Sequence, residues 1–248
     1  MAWLALETKW PFIRRQRMKS RRDTRLFQGC LAVLALSSVP AWAAGDVAVT
    51  GKLSTLGPGL ELTLPIKDSF NGRFGFNTYN YRFSAMESGI DYGAKLRLQS
   101  VSLLGDWFPV IGSGFRVSPG LLYNNNKLKM TAKPAGTYTI GTITYAAAQI
   151  GSVDADVTFD KVAPYIGIGW GNAVAKANTW SFAADLGVLY QNSPKVKLAV
   201  TCGPALLGVP NGCTNLNNDA ANEQADLQNA IGSFKWYPVI SIGASYKF

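Results

Sequence analysis

The last twelve residues, Tyr237-Pro-Val-Ile-Ser-Ile-Gly-Ala-Ser-Tyr-Lys-Phe248, constrain the fold more than any other part of the chain. Counted in twos, Ile240, Ile242, Ala244, Tyr246 and Phe248 share one face, while Ser241, Gly243, Ser245 and Lys247 share the other. Successive side chains leave a pleated backbone on opposite sides, so a period of two marks a strand with one apolar face. Two kinds of sheet use such a strand. One turns the apolar face into a protein core and the other turns it outward into lipid.

The same dyad recurs along the chain. Leu60, Leu62, Leu64 and Ile66 alternate with Glu61 and Thr63; Phe115, Val117, Leu121 and Tyr123 alternate with Arg116, Ser118 and Gly120; Trp180, Phe182, Leu186 and Val188 alternate with Ser181, Asp185 and Gly187. With the turn residues between such runs, this predicts eight strands, at 47–55, 59–66, 72–83, 91–108, 114–128, 162–171, 179–192 and 236–248. Their length, about ten residues in most cases, suits a tilted membrane-spanning strand. The alternation changes phase near Thr78 and near Gln99-Ser100. A one-residue slip sends a whole face the wrong way, so a β-bulge is expected at each.

The gaps between strands are unequal. Those at 67–71, 109–113 and 172–178 are short, whereas 129–161 and 193–235, on the opposite side, are long; Leu56-Gly57-Pro58 is a short exception. Aromatic residues collect at strand ends: Phe70, Phe74, Trp107, Phe108, Phe115, Trp170, Trp180 and Phe248 beside the short turns, and Tyr79, Tyr81, Tyr92, Tyr123 and Tyr190 toward the long loops. A sheet buried in a soluble core has no reason to sort its aromatics this way, but a barrel with an interfacial girdle at each membrane surface does. The expected fold is therefore all-β: an antiparallel up-and-down transmembrane barrel of eight strands, with short periplasmic turns and long extracellular loops.

Beyond the N-terminal segment no apolar run approaches the roughly 20 residues of a membrane helix. That segment reads as a leader. From Met18, Lys19-Ser-Arg21-Arg22-Asp-Thr-Arg25 is a basic region, Leu26–Val39 is apolar, and Ala41-Trp42-Ala43 supplies the small residues of a cleavage site. The expected organisation is an N-terminal extension plus cleavable signal peptide over 1–43, with Met18 as the true start, followed by a barrel over 44–248. The leader also accounts for most of the charge. The chain carries +9, but eight of its 24 basic and two of its 15 acidic residues lie in 1–43, which leaves about +3. A nucleic-acid partner, which needs a concentrated basic surface, is not expected. Cys30 falls inside the leader, so Cys202 and Cys213 remain, in one loop of an exported chain where disulfides persist. A disulfide between them is expected.

Phe248 preceded by Tyr246 resembles the C-terminal signature that the barrel insertion machinery reads in bacterial outer-membrane proteins. Gly105-Asp106-Trp107-Phe108-Pro109, Pro164-Tyr-Ile-Gly-Ile-Gly-Trp-Gly-Asn172 and Tyr237-Pro238 look like landmarks of proteobacterial barrels. Over most of 46–248 the chain resembles small OmpA-like and OmpW-like outer-membrane proteins. The resemblance implies a place in the cell outer membrane and contact with outer-membrane lipid, lipopolysaccharide and the insertion machinery. On the OmpW-like side it also implies passage of a small, apolar solute.

The chain contains no histidine. Barrel enzymes of the outer membrane resemble one another in using one, and a serine here lacks its usual activating partner. No catalytic residue is assigned, and a lipid-modifying enzyme is the third expectation, after a structural barrel and a channel. Gly167-Ile-Gly169-Trp-Gly171 is followed by a turn and a strand, not by the helix a phosphate loop requires. Its glycines are expected to face a narrow lumen, with Ile166, Ile168 and Trp170 toward lipid. Zinc sites draw on His and Cys, so neither a metal nor a cofactor is expected.

By the alternation, Lys52, Glu61, Arg73, Lys95, Arg97, Asp106, Arg116, Asp185 and Lys247 face inward. An eight-stranded barrel is just wide enough for side chains to fill it. The charges therefore form either a structural plug of ion pairs, the favoured reading, or a gated path with a mildly anion-attracting wall. In the long loops, Thr137–Tyr145 is β-prone and expected as a hairpin, with Asp154, Asp156 and Asp160 solvated nearby. Residues 218–231 suggest a short helix capped by Asp219 or the preceding Asn pair. The leading expectation is a non-enzymatic barrel with a structural or surface-interaction role; the alternative is a narrow porin-like channel for small or apolar solutes.

Overall fold

The computed structural model describes residues 47–87, 90–134, 136–175 and 180–248. The leader reading of 1–43, with Met18, Cys30 and a mature start at Ala44, lies outside the described residues. In chain order the strands are β1 (Ala48–Ser54), β2 (Gly59–Lys67), β3 (Phe70–Glu87), β4 (Ile90–Trp107), β5 (Phe115–Asn124), β6 (Lys127–Pro134), β7 (Thr137–Ile140), β8 (Ile143–Ala146), β9 (Ile150–Thr158), β10 (Val162–Trp170), β11 (Trp180–Tyr190), β12 (Lys195–Cys202) and β13 (Trp236–Lys247). A helical turn, α1 (Pro204–Leu207), and a long helix, α2 (Gly212–Ile231), lie between β12 and β13.

Strands β1, β2, β3, β4, β5, β10, β11 and β13 pair in that order, all antiparallel. β13 closes the ring on β1, from Ala48↔Lys247 to Ser54↔Ser241. All eight strands expected from the alternation are present in this closed barrel. Its surface is inside-out relative to a soluble domain: Phe182 is 78% and Leu103 64% exposed, while Ser118 and Ser245 are fully buried. That decides between the two uses of an alternating strand, because an apolar outer face of this extent needs lipid to cover it.

The aromatic girdles are only partly as expected. At the turn end, Trp107, Trp170 and Trp180 are exposed, and the Tyr246 ring meets Trp180 at a tilt (centroids 5.3 Å apart) and Phe248 edge-on (5.2 Å). At the loop end, Tyr123 is exposed and Tyr190 packs on Trp236 at 4.7 Å. Phe108 is buried under the turn end of the lumen, and Tyr92 belongs to a core above the barrel.

That core belongs to an upper tier, where the sequence alone predicts loops. β3 and β4, of 18 residues each, rise past the ring. The lower part of β4 pairs with β5, and its upper part pairs with β6 from Arg97↔Lys127 to Ile90↔Pro134. β9 pairs with β6, and β12 with β9, so five strands continue the wall upward. The predicted strand 114–128 is thus two strands, broken where Asn125 and Asn126 bend the chain from β5 into β6. The expected hairpin is present as β7–β8.

No β-bulge occurs at Thr78 or at Gln99-Ser100: β3 and β4 keep one register from Phe70↔Trp107 to Glu87↔Ile90. What changes there is the environment. Above the Thr78–Gln99 row the outer face leaves the apolar belt, while the inner face gains a protein core containing Tyr92, Ala132, Ile140, Ile150, Val153 and Leu216. Polarity inverts while the backbone phase continues.

Helix α2 starts six residues earlier than predicted, and its N-cap, Asn211, makes no side-chain capping bond. Attachment to β12 holds it instead. The Cys202–Cys213 disulfide is formed and ties the end of β12 to the start of the helix. Further along, the Gln228 side chain accepts from the Val196 N–H (2.9 Å) and donates to the Pro194 carbonyl (2.6 Å), and Gln224 accepts from the Leu198 N–H (2.8 Å). These amides occupy backbone groups along the free edge of β12 and of Pro194 just before it. They cover an edge that would otherwise invite pairing with another chain.

Candidate functional site

Seven of the nine predicted inward charges face the interior, and six of them form one network at the middle of the lumen. Arg73, on β3 and only 5% exposed, is the hub. Its guanidinium reaches Asp106 Oδ2 at 2.7 Å on β4, Glu61 Oε1 at 3.1 Å on β2 and Asp185 Oδ1 at 3.4 Å across the lumen on β11. It also donates to Ser118 Oγ at 3.1 Å on β5. A planar group with five fixed donors suits such a position, where a lysine would offer a single point of charge.

The other members complete the pairing. Lys52 Nζ lies 2.8 Å from Glu61 Oε2. Arg116 lies 2.6 Å from Asp185 Oδ1 and 3.7 Å from Asp106 Oδ2, and it also donates to the Gly171 carbonyl. Ser118 donates to Asp106 at 2.6 Å and Ser241 to Asp185 at 3.1 Å. Three cations, Lys52, Arg73 and Arg116, thus meet three carboxylates, Glu61, Asp106 and Asp185. Pairing of this kind offsets the several kcal/mol it costs to take each ion out of water.

Glycine makes the meeting sterically possible. In the sheet register Gly169 of β10 stands between Arg116 of β5 and Asp185 of β11. A Cβ at Gly169 would lie 2.5 Å from Asp185 Oδ1 and 3.1 Å from Arg116 Cζ, so any larger residue would separate the pair. Gly187 performs the same service one layer up, where a Cβ would come within 2.4 Å of the Tyr165 hydroxyl.

That next layer, toward the loop end, is apolar and is not among the sequence expectations. Leu56, Leu104, Leu122, Tyr165, Leu189 and Val239 are buried against one another inside the wall. Toward the turn end the lumen retains a cavity of about 10 Å³ beside Thr50, Asn71, Arg73 and Arg116, under Phe108. A space of that size admits about one water molecule. Lys247, the seventh inward charge, stands apart from the network and donates to the Val174 carbonyl at 3.0 Å near the turns.

Lys95 and Arg97, expected inward, do not face the lumen. Both are exposed on the outer face of β4, above the ring, because the missing bulge leaves them in the lipid-facing phase. The anion-attracting wall inferred from six inward cations is therefore a balanced cluster of three and three, with Lys247 apart. In the upper tier, Tyr145 donates to Asp219, and Glu223 accepts from the Gly141 N–H at 3.0 Å, which fixes hairpin β7–β8 to α2. Burial, then the bond to Asp219, pushes the Tyr145 hydroxyl up to about 12.

A closed ring of eight antiparallel strands, apolar outside and ion-paired inside, defines a membrane β-barrel with a lumen filled by side chains. No family model and no curated protein matches the chain. Among solved structures, CarO2 of Acinetobacter baumannii matches 82% of this chain and 98% of its own length, at 21% identity and a TM-score of 0.54. CarO of the same organism matches the same shares at 19% identity and a TM-score of 0.52. A major outer membrane protein from Thermus thermophilus is matched over the same shares at 13% identity and a TM-score of 0.36, too weak a likeness to carry an argument. At these identities the likeness is one of fold alone.

Proposed function

We propose that the chain is a non-enzymatic outer-membrane protein whose lumen is a sealed structural core and whose upper tier is its working surface. The observation that carries this reading is Arg73, held by three carboxylates from three other strands. A path for ions through the lumen would have to separate these pairs, and removing one partner of a buried pair costs about 3 to 5 kcal/mol. The apolar layer of Leu104, Leu122 and Leu189 closes the same route a second time. In this reading the leader delivers the chain for export, Tyr246 and Phe248 form the signal for the insertion machinery, and outer-membrane lipid and lipopolysaccharide surround the wall.

A narrow channel is the second reading, in line with the OmpW-like resemblance. It draws on the apolar layer, whose side chains an apolar solute would displace while crossing. A lipid-modifying enzyme is third, because no histidine is present to act as base. Passage of small sugars and of small apolar solutes into proteoliposomes separates the first two: sealed vesicles are expected for both, and entry that falls off with solute size would favour the channel.

A further inference from the structure

The outer face of the upper tier carries basic residues set against one another. In the sheet register Arg82 of β3 stands opposite Lys95 of β4, and Lys95 stands opposite Lys129 of β6; one row closer to the ring, Arg97 stands opposite Lys127. Side chains opposed in this way have Cβ atoms about 4.5 to 5.5 Å apart, and like charges there repel. Lys161 joins the group from below, with its ammonium 5.7 Å from the Tyr123 ring centroid and bonded to Asn125. Burial, then the charges of Lys127 and Arg97, hold that ammonium below the ordinary lysine range.

Lys129 pairs with Asp156 at 3.2 Å. Among the described residues, no carboxylate pairs with Arg82, Lys95, Arg97, Lys127 or Lys161. In the lumen Lys52, Arg73 and Arg116 each meet a carboxylate, whereas these outer cations, set side by side with none, offer a site for an anion from outside the chain.

Position identifies the anion. The outermost lipid-facing row holds Phe76 and Val101, with Tyr123 beside Val101, and Arg97 stands four residues farther up β4. Four residues of strand span about 13 Å, less in height because barrel strands tilt. The polar layer of a bilayer begins at the edge of the hydrocarbon, and the flexible stems of Lys and Arg reach toward it. We propose that this basic face binds the phosphate groups of a phosphorylated lipid in the leaflet that surrounds the loop end of the barrel.

The proposal rests on the membrane reading above, and flotation of the full chain with vesicles of zwitterionic lipid tests that reading separately. A chain that fails to insert sinks the membrane reading, whereas failed phosphate recognition leaves insertion intact. For the proposal itself, full-length protein in zwitterionic detergent is titrated with diphosphoryl lipid A and with the same lipid after removal of its phosphates. A basic residue near an anionic surface contributes about fivefold in affinity, so Lys95→Gln with Arg97→Gln and Lys127→Gln should weaken binding on the order of a hundredfold. Lys127→Gln alone should lose roughly fivefold and does not depend on how the triple variant folds. Lys67→Gln, at the exposed turn end, should change nothing. Equal binding of the dephosphorylated lipid, or an unaffected triple variant, overturns the proposal. Inorganic polyphosphate that competes at the affinity of the lipid would reassign the face to a soluble anionic partner and equally overturn it.

Discussion

The inner and outer walls of the β3–β4 hairpin carry the same residue types in opposite circumstances. Inside and low, Arg73 is buried among Glu61, Asp106 and Asp185. Outside and high, Arg82 and Lys95 face each other across the same pair of strands. Burial explains the difference. A cation removed from water must find its counter-charge within the fold, whereas an exposed one is solvated and screened, so its position answers to what lies outside. A charge on an alternating strand therefore has two meanings, set by its height along the barrel.

The largest expected effect breaks the inner side of this comparison. Arg73→Ala leaves three buried carboxylates short of a cation and should cost about 3 to 5 kcal/mol in denaturant unfolding from lipid vesicles. Arg116→Ala should cost less, since Asp106 and Asp185 both keep Arg73. Equal losses for the two variants would remove Arg73 from its place as hub.

Next is the clamp on the upper tier. Replacing Cys202 and Cys213 together by serine opens a loop of sequence separation 11, which the chain-entropy model values at about 3 kcal/mol. The loss should be confined to the tier, with α2 open to limited proteolysis while the ring unfolds at an unchanged denaturant midpoint. A shift of the whole transition would show that the tier and the ring fold as one unit.

Gln228→Ala is a smaller test of the covered β12 edge. It strips partners from the Val196 N–H and the Pro194 carbonyl and should cost about 1 to 2 kcal/mol, seen as faster amide exchange at Val196. The smallest effect belongs to the outer wall. Lys95→Gln relieves repulsion from Arg82 and Lys129, so in zwitterionic detergent its melting point should stay level or rise slightly, by less than about 1 kcal/mol in stability. A clear loss would mean that Lys95 is paired within the chain.

All eight strands of the ring are legible in the sequence because period two survives wherever lipid lies outside and side chains fill the inside. The same rule misplaces Lys95 and Arg97, since alternation tells which face a residue is on but not where the lipid stops. Taking the outside to be apolar throughout turns a change of environment at Thr78 and Gln99 into two bulges. β6, β9 and β12 carry the dyad as well, as in Lys127-Leu-Lys-Met-Thr-Ala-Lys133, but their outer residues are charged, and on sequence alone β9, β12 and all of β6 beyond Leu128 read as loop.

The candidate site is legible in its members and not in its balance. Lys52, Glu61, Arg73, Asp106, Arg116 and Asp185 are all in phase with the lumen, but the pairing depends on their heights, which only the register supplies. The apolar layer has a signal in the sequence: Leu104, Leu122, Leu189 and Val239 are apolar at inward positions, against the pattern of their own strands. Aligning those exceptions across strands would place them side by side.

A sealed lumen is tested most directly by single-channel recording of the refolded protein. Wild type should show no current above the lipid baseline over the full voltage range, because both the Arg73 network and the apolar layer above it lie across the path. A steady conductance in the wild type, with an ion selectivity that changes in Arg73→Ala, would contradict the account and make the lumen a channel.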